Sequence, residues 1–498
     1  MVDPAPIFPR AMDNDDLAYL SATDLLVAYR RKHLSPLDVT RATLDRIDRL
    51  NPKLNAFVLV DHASALRDAR LSQDRWQRGV PIGPLDGVPV SIKDLLLTRG
   101  WPTLRGSKTV DAAQGWEVDA PSTARLREAG AVLLGKTATP EFGWRGSTDS
   151  PLSGITRNPW DLSKTPGGSS GGAVSAIAAG LGPLATGTDG GGSIRIPAAF
   201  TGTVGLKAQF GRVPAWPMSP MGTVAHVGGQ ARTVEDAALM LDVLAQPDYR
   251  DFSSLPAPHG SWLAALKGDA SRAGRLPLGT SLRGLRIAYS PRMGYVPFVD
   301  PEIEAAVAAA AKVFSELGAT VEAVDPGIPD SATTFAVHWF SSARNLLYRL
   351  PPEQLAQLDP GLRESIEFAA RFSIGDFLDA QSQRGALAVQ MQTFHQDWDL
   401  MLTPATAVQP FDVGRVMPPL PPGVTPINDV DWTWWTPFSY PFNLTQQPAL
   451  VMGCGFARTG LPLALQLVAP NHREDLCLRA ARAYEEVTPW GAMRPSLG

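Results

Sequence analysis

The segment from Gly167 to Ser193 constrains this chain more than any other. It opens with Gly167-Gly168-Ser169-Ser170-Gly171-Gly172 and closes with Gly187-Thr188-Asp189-Gly190-Gly191-Gly192-Ser193, with small apolar residues between. Glycine serves where the backbone must approach a ligand or take positive φ. Successive glycines ahead of a serine also leave several N–H groups free to converge, as an oxyanion hole requires. A serine so placed is a candidate nucleophile, and it needs a group to take its proton.

Upstream, the run from Leu85 through Val88-Pro89-Val90-Ser91-Ile92-Lys93 to Asp94 reads as a strand. Period-two alternation sets Val88, Val90 and Ile92 on one face, and Ser91 and Lys93 on the other. A lysine at the end of an apolar strand is costly to bury as a cation. Burial lowers its pKa and turns it into a base near neutral pH. The competing reading is a lysine whose ammonium reaches water, the commoner fate of that side chain.

Together these three segments closely resemble the amidase signature family, which pairs a lysine after G-V-P-x-x-x-K-D with a serine in G-G-S-S-G-G and a nucleophile in G-T-D-x-G-G-S-I-R-x-P. Here the motifs read Gly87 to Asp94, Gly167 to Gly172 and Gly187 to Pro197, in the same order. The resemblance continues through Leu134-Gly135-Lys136-Thr137, Asn158-Pro159-Trp160-Asp161, Gly205-Leu206-Lys207, Pro441-Phe442-Asn443 and Gln447-Pro448-Ala449, nearly the whole chain. It implies a Ser–Ser–Lys triad: Ser193 as nucleophile, Ser169 after a cis peptide bond as relay, and neutral Lys93 as base. It also implies an oxyanion hole from the amides of Gly190, Gly191, Gly192 and Ser193. Ser170 and Thr188 would support the triad by hydrogen bonds, and Asp189 and Arg195 would brace the turn as an ion pair. For these four the alternative is plain scaffold. Two departures stand out. Gly190 replaces the apolar residue or threonine usual in the family, which predicts a looser turn or open space beside the carbonyl. Ala173 replaces a serine, for which only a packing effect is expected.

Rival readings of the same residues fare worse. Gly168 to Gly172 matches G-x-S-x-G with Ser170 as nucleophile, but that elbow needs a strand leading into it. Residues 158–166 read instead as a loop, with prolines at Pro159 and Pro166. Neither glycine turn is followed by the Lys-Ser/Thr of a phosphate loop. The seven histidines are scattered and form no zinc motif, so no metal and no cofactor is expected.

A net charge of −4 with 19% charged residues points to neither nucleic acid nor an anionic membrane as partner. No run of 18 apolar residues occurs, so no membrane span is expected. Cys454 and Cys477 cannot make a disulfide framework and suit a reducing compartment, hence a cytoplasmic location. Cys454 itself reads as a small buried hydrophobe. Met1 to Leu20 lacks a basic region followed by an apolar core, so no signal peptide is expected.

The N-terminal arm, about 13–70, reads as helical. Ser21 and Ser35-Pro36 start helices, and Asn51-Pro52 is expected to end the second. Short strands then alternate with Ala-rich helices through a core of about 80–250, and residues 256–281 read as a connector. The strand–helix–strand pattern over 285–324 would suit a separate domain. The resemblance instead implies one α/β domain spanning 1–498, a mixed, twisted sheet of about eleven strands with helices on both faces and a C-terminal part over 281–498.

Substrate selection is expected in residues 411–440, where five prolines precede Trp432, Trp434 and Trp435. These tryptophans read as a pocket lining or lid, or else as cover for a sheet edge. Trp144, Met218 and Met221 are further pocket candidates. The function implied is a serine hydrolase that cleaves the C–N bond of a small-molecule, largely apolar amide through an acyl-enzyme. The family's shared machinery extends that to esters and aryl carbamates (urethanes). Alternatives are an inactive scaffold on the same fold and a glutamine-hydrolysing component of an amidotransferase. A homodimer stays open.

Overall fold

The strands run, in chain order, β1 (Phe57–Val60), β2 (Pro89–Lys93), β3 (Val132–Thr137), β4 (Asp149–Ser150), β5 (Gly154–Ile155), β6 (Leu184–Asp189), β7 (Val204–Lys207), β8 (His226–Ala231), β9 (Arg286–Tyr289), β10 (Thr320–Ala323), β11 (Leu400–Pro404), β12 (Ala449–Phe456) and β13 (Pro462–Val468). They belong to a computed structural model that describes residues 14–428, 431–488 and 490–497. β4 and β5 pair alone; the others form one sheet of eleven strands in the order β1-β3-β2-β6-β8-β7-β12-β13-β11-β9-β10. β3, β2 and β6 are mutually parallel, as are β11, β9 and β10, and antiparallel pairings join the two blocks. β2, β3, β11 and β13 are buried at every residue. Their near-continuous apolar runs follow from cover by helices on both faces.

The expected mixed α/β architecture is therefore present as one large domain. The strand–helix–strand unit over 285–324 is not separate, because β9 pairs with β11 and extends the same sheet. Local signals set most helix starts: the Ser21 and Ser35 hydroxyls accept the Asp24 and Asp38 amides at 3.0 and 3.1 Å. One stop signal fails. Pro52 does not end its helix, which runs from Pro36 to Leu54. Asn51 Oδ1 takes over the exit by accepting the amides of Ala56 and Phe57 at 2.9 and 2.8 Å. The 256–281 segment is more than a connector: it holds short helices Trp262–Leu266 and Ala270–Ala273, docked on Asp242 through the Trp262 amide at 2.7 Å. Residues 1–13, which hold position 13 of the arm and most of the Met1 to Leu20 reading, lie outside the described residues. Among those described, no helix is long and apolar enough to cross a membrane.

What places the site is the parallel pairing of β2 and β6, in register Val90 to Leu184 and Ser91 to Ala185. Their carboxyl ends, Lys93 and Asp189, therefore emerge side by side. The carboxyl ends of parallel strands are where open α/β sheets bind ligands.

Candidate active site

Lys93 is fully buried at the end of β2. Its Nζ lies 2.8 Å from Ser169 Oγ, 2.9 Å from Ser170 Oγ and 2.8 Å from Thr188 Oγ1. Burial drives its pKa well below the usual lysine value, and the negative charge of Asp189 opposes this only in part. A neutral amine offers two N–H donors and one lone pair. With three hydroxyls around it, two accept and the third can turn its proton toward nitrogen, as a hydroxyl is free to do. Ser169 follows a cis Gly168–Ser169 peptide bond. Ser170 precedes the buried helix Gly171–Ala178, and its amide donates to the Ser193 carbonyl at 3.2 Å, tying the two glycine turns together. Ser169, Thr188, Gly190 and Ser193 all face one cavity; Ser170 does not. That placement, with no strand leading into Ser170, disfavours the elbow reading.

Asp189 shapes the nucleophile turn. Its Oδ1 accepts the Gly192 amide at 2.8 Å and its Oδ2 the Ile194 amide at 3.2 Å. The resemblance sets Gly192 among the oxyanion donors, but here its N–H is committed to that carboxylate. The amides of Gly190, Gly191 and Ser193 donate to no acceptor among the described residues. Arg195 grips Asp189 with two bonds of 3.0 Å, both side chains being fully buried. Burial alone would raise the Asp189 carboxyl; Arg195, aided by Lys207 and Asn443, instead holds it well below the ordinary carboxylate range. Arg195 also donates to Ser439 O and Gln466 Oε1, each at 2.9 Å, and to Asn443 Oδ1 at 2.7 Å.

Most of the short outlying motifs brace the ends of β2 and β6. Asn443 Nδ2 donates to Asp189 Oδ1 at 2.8 Å, and Lys136 Nζ holds Leu96 O at 2.8 Å just past Lys93. Lys207 Nζ donates to Gln447 O and approaches His226 Nε2 at 3.4 Å. Burial pushes the pKa of both Lys207 and His226 well down.

The space behind the glycine run is filled, contrary to the expectation of open room beside it. A Cβ at Gly190 would stand 2.5 Å from Trp339 Cζ3, and one at Gly191 2.5 Å from Phe335 Cζ and 2.7 Å from Trp432 Cη2. Side chains from the helix Ala332–Leu347 already fill the space. Trp339 stacks on Phe335 at 5.6 Å, and its Nε1 donates to Trp144 O at 3.0 Å.

The cavity, about 310 Å³, has mostly apolar walls: Leu95 to Leu97, Phe142, the Pro214–Met221 segment, Val227, Trp339 and Leu346. Met218, 63% exposed at the rim, and buried Met221 both line it. The aromatic-lid expectation is not met. Trp432 is buried behind the oxyanion turn, edge-on to Phe335 at 5.7 Å and Trp339 at 5.6 Å. Trp435 is buried between Phe200, stacked at 5.7 Å, and Phe411 at 5.2 Å. Trp434 packs against the core, and Trp144 is buried outside the cavity wall. Asp431 is the local reason, since its carboxylate accepts the Ile427 and Thr433 amides at 2.8 and 2.7 Å and folds the loop inward. Residues 429 and 430 lie outside the described residues. Leu95 to Leu97, Arg105, Phe142, Trp339 and Leu346 escape a reading of the sequence. The leucines follow the lysine motif directly and are within reach of it; Trp339 and Leu346 carry no local mark. Among the described residues, no three His, Cys, Asp or Glu side chains are grouped to hold a metal ion.

The family model Amidase matches residues 38–478. An acylamidase of Rhodococcus erythropolis is 38% identical over 494 residues, covering 97% of this chain and 99% of that protein. A glutamyl-tRNA(Gln) amidotransferase subunit of Chloroflexus aggregans is 35% identical over 508 residues, covering 97% and 99%. Among solved structures, a bacterial aryl acylamidase of the amidase signature family superposes with a TM-score of 0.87 at 31% identity, covering 97% of this chain and all of that one. A 6-aminohexanoate cyclic dimer hydrolase complexed with substrate gives 0.85 at 28%, covering 96% and 99%. With its lysine, paired serines and glycine turn gathered at one end of the sheet, and with a match along nearly all its length, this chain belongs to the amidase signature family.

Proposed function

We propose that this amidase hydrolyses aryl and other apolar amides, with aryl carbamates and esters as further substrates, through Ser193, Ser169 and Lys93. The observation that carries the reading is a fully buried lysine ringed by three hydroxyls, two of them on the wall of the cavity that also holds Ser193. Neutral Lys93 takes the Ser169 hydroxyl proton as Ser169 takes that of Ser193. Ser193 Oγ bonds to the carbonyl carbon, and the oxyanion formed receives the free amides of Gly190, Gly191 and Ser193. Ser169 then returns a proton to the leaving nitrogen, the C–N bond breaks, and water frees the acyl group by the same route. A carbamate differs only in carrying an alkoxy or aryloxy group beside the carbonyl: C–N cleavage releases the amine, and water then frees a carbonate monoester that breaks down to carbon dioxide and the alcohol or phenol. Ser170 and Thr188 hold the lysine, and Asp189 with Arg195 holds the turn. The two free cysteines suit a cytoplasmic location.

A second reading follows from the amidotransferase relatives: glutamine hydrolysis as one component of a complex. The walls favour the first, because glutamine brings a charged α-amino group and the cavity is lined by no carboxylate among the described residues to receive it. The test is turnover of p-nitroanilides, aryl carbamates and glutamine by the wild-type chain, Ser193→Ala and Lys93→Ala. Ser193→Ala is expected to abolish turnover and labelling by a fluorophosphonate. Lys93→Ala should cost about 10²–10⁴-fold in kcat. Because burial lowers the Lys93 pKa, the wild-type rate should rise with pH as that amine loses its proton, and then level off. Full activity in Ser193→Ala would defeat the assignment, and ammonia release from glutamine alone would favour the second reading.

A further inference from the structure

The cavity contains a cation that the triad does not use. Arg105 is half-buried on the wall beside Leu95, Leu97 and Phe142. Its backbone is pinned on both sides: its amide donates to Asp94 O at 3.1 Å, and its carbonyl accepts the Phe142 amide at 2.8 Å. The guanidinium itself makes no hydrogen bond and no ion pair with any described residue. Asp94 is the carboxylate whose charge it feels, and that carboxylate already serves Lys136 at 3.4 Å. Two cations thus share one anion, and Asp111 and Glu117 on an adjoining cleft that Arg105 also lines form no ion pair with it, leaving a positive charge on a mostly apolar wall. Burial pulls the Arg105 pKa down, the mark of a cation short of solvent and counter-charge. The planar fork of a guanidinium matches a carboxylate with two parallel hydrogen bonds.

We propose that Arg105 is a specificity-determining residue that receives a carboxylate borne by the substrate, so that the preferred amides have an apolar body and an anionic end. This deepens the reading of the cavity as an amide-hydrolysing site and rests on it. The anionic end lies on the acyl side or on the amine side of the scissile bond, and matched pairs separate the two. Succinyl-p-nitroanilide against butyryl-p-nitroanilide tests the acyl side, and 4-acetamidobenzoate against 4-methylacetanilide the amine side. One pair should show kcat/KM higher for the acid by about tenfold, the size of one charge-assisted contact on a partly solvated wall. In Arg105→Gln that ratio should fall to near one, chiefly through KM, and Arg105→Lys should restore part of it. Because the ratio compares two substrates of one protein, partial misfolding does not mimic the result. Calorimetric titration of Ser193→Ala with the same four compounds reads binding without turnover. A carboxylate preference there that vanishes in Ser193→Ala/Arg105→Gln supports Arg105 even if hydrolysis is absent, in which case only the amidase reading falls. Equal binding and turnover of acid and neutral members, or a preference that survives Arg105→Gln, overturns the proposal.

Discussion

Trp339 and Gly190 act as one unit at the scale of single residues. The indole occupies the volume that a side chain at position 190 would fill, and the φ of Gly190 lies outside the left-handed region, so only space forbids a larger residue. Gly190→Ala puts a carbon 2.5 Å from Trp339 Cζ3, which must displace the turn or the ring. Its expected cost is about 10²-fold in kcat, on the scale of a lost oxyanion donor. Trp339→Ala removes the ring that backs the turn and should cost about 3–5 kcal/mol of stability as a large-to-small core change. The double variant relieves the clash, so its kcat should lie well above the product of the single effects. A double-mutant cycle on kcat and on urea midpoints measures this, and strict additivity would show that the two do not share the space.

At the scale of elements, the Asp189–Arg195 pair joins the end of β6, the helix Arg195–Thr201, the helix Pro441–Leu444 and β13. Arg195→Met leaves Asp189 buried without its counter-charge. Removing one partner of a buried pair costs about 3–5 kcal/mol, while removing both is much cheaper. Urea unfolding should therefore show a large loss for Arg195→Met and a partial recovery for Asp189→Asn/Arg195→Met. Because Asp189 also fixes the Gly192 and Ile194 amides, activity should not return with stability in the double variant. The loop over 431–440 belongs to the same layer. Trp432 backs the turn and Trp435 fills the core between Phe200 and Phe411, away from the cavity, so Trp435→Ala should lower stability without discriminating between small and large amides.

Across the whole molecule, two carboxylates stitch distant parts of the chain. Asp236 accepts the Ala22 and Thr23 amides at 2.8 and 3.0 Å, and Glu485 accepts the Val234 amide at 3.0 Å. Burial raises Asp236 to about 6 and Glu485 to about 7, against ordinary values of 3.8 and 4.5. Between the ordinary and raised values the native state binds more protons than the unfolded chain, so these groups make stability fall as pH rises. Buried His338 and half-buried His395, lowered to about 4 by desolvation, act with the opposite sign over part of that range. The difference between Glu485→Gln and wild type isolates the Glu485 contribution. The variant should gain on wild type as pH rises from about 4.5 to 7, followed by thermal midpoints, with the gain constant above that. A difference that does not change with pH would mean that Glu485 is ionised in the native state throughout.

The sequence by itself determined the parts whose geometry is local. Period-two alternation put Lys93 opposite Val90 and Ile92, serine caps started the helices, and the glycine turns marked where Ser169 and Ser193 would sit. The long ordered motifs then tied the chain to a fold with one mixed sheet. Tertiary structure decided what depends on which distant side chain fills a space. Trp339 comes from a helix that no motif marks, and it fills the space beside a turn whose glycines alone predict open room. Trp432 and Trp435, polar in their sequence context, are buried because Asp431 gathers loop amides and turns the segment inward. Gly192 loses its amide to Asp189 because a carboxylate held ionised by Arg195 is the nearer and stronger acceptor. The cavity walls follow the same rule, since side-chain packing between remote segments leaves no periodic signature in the chain.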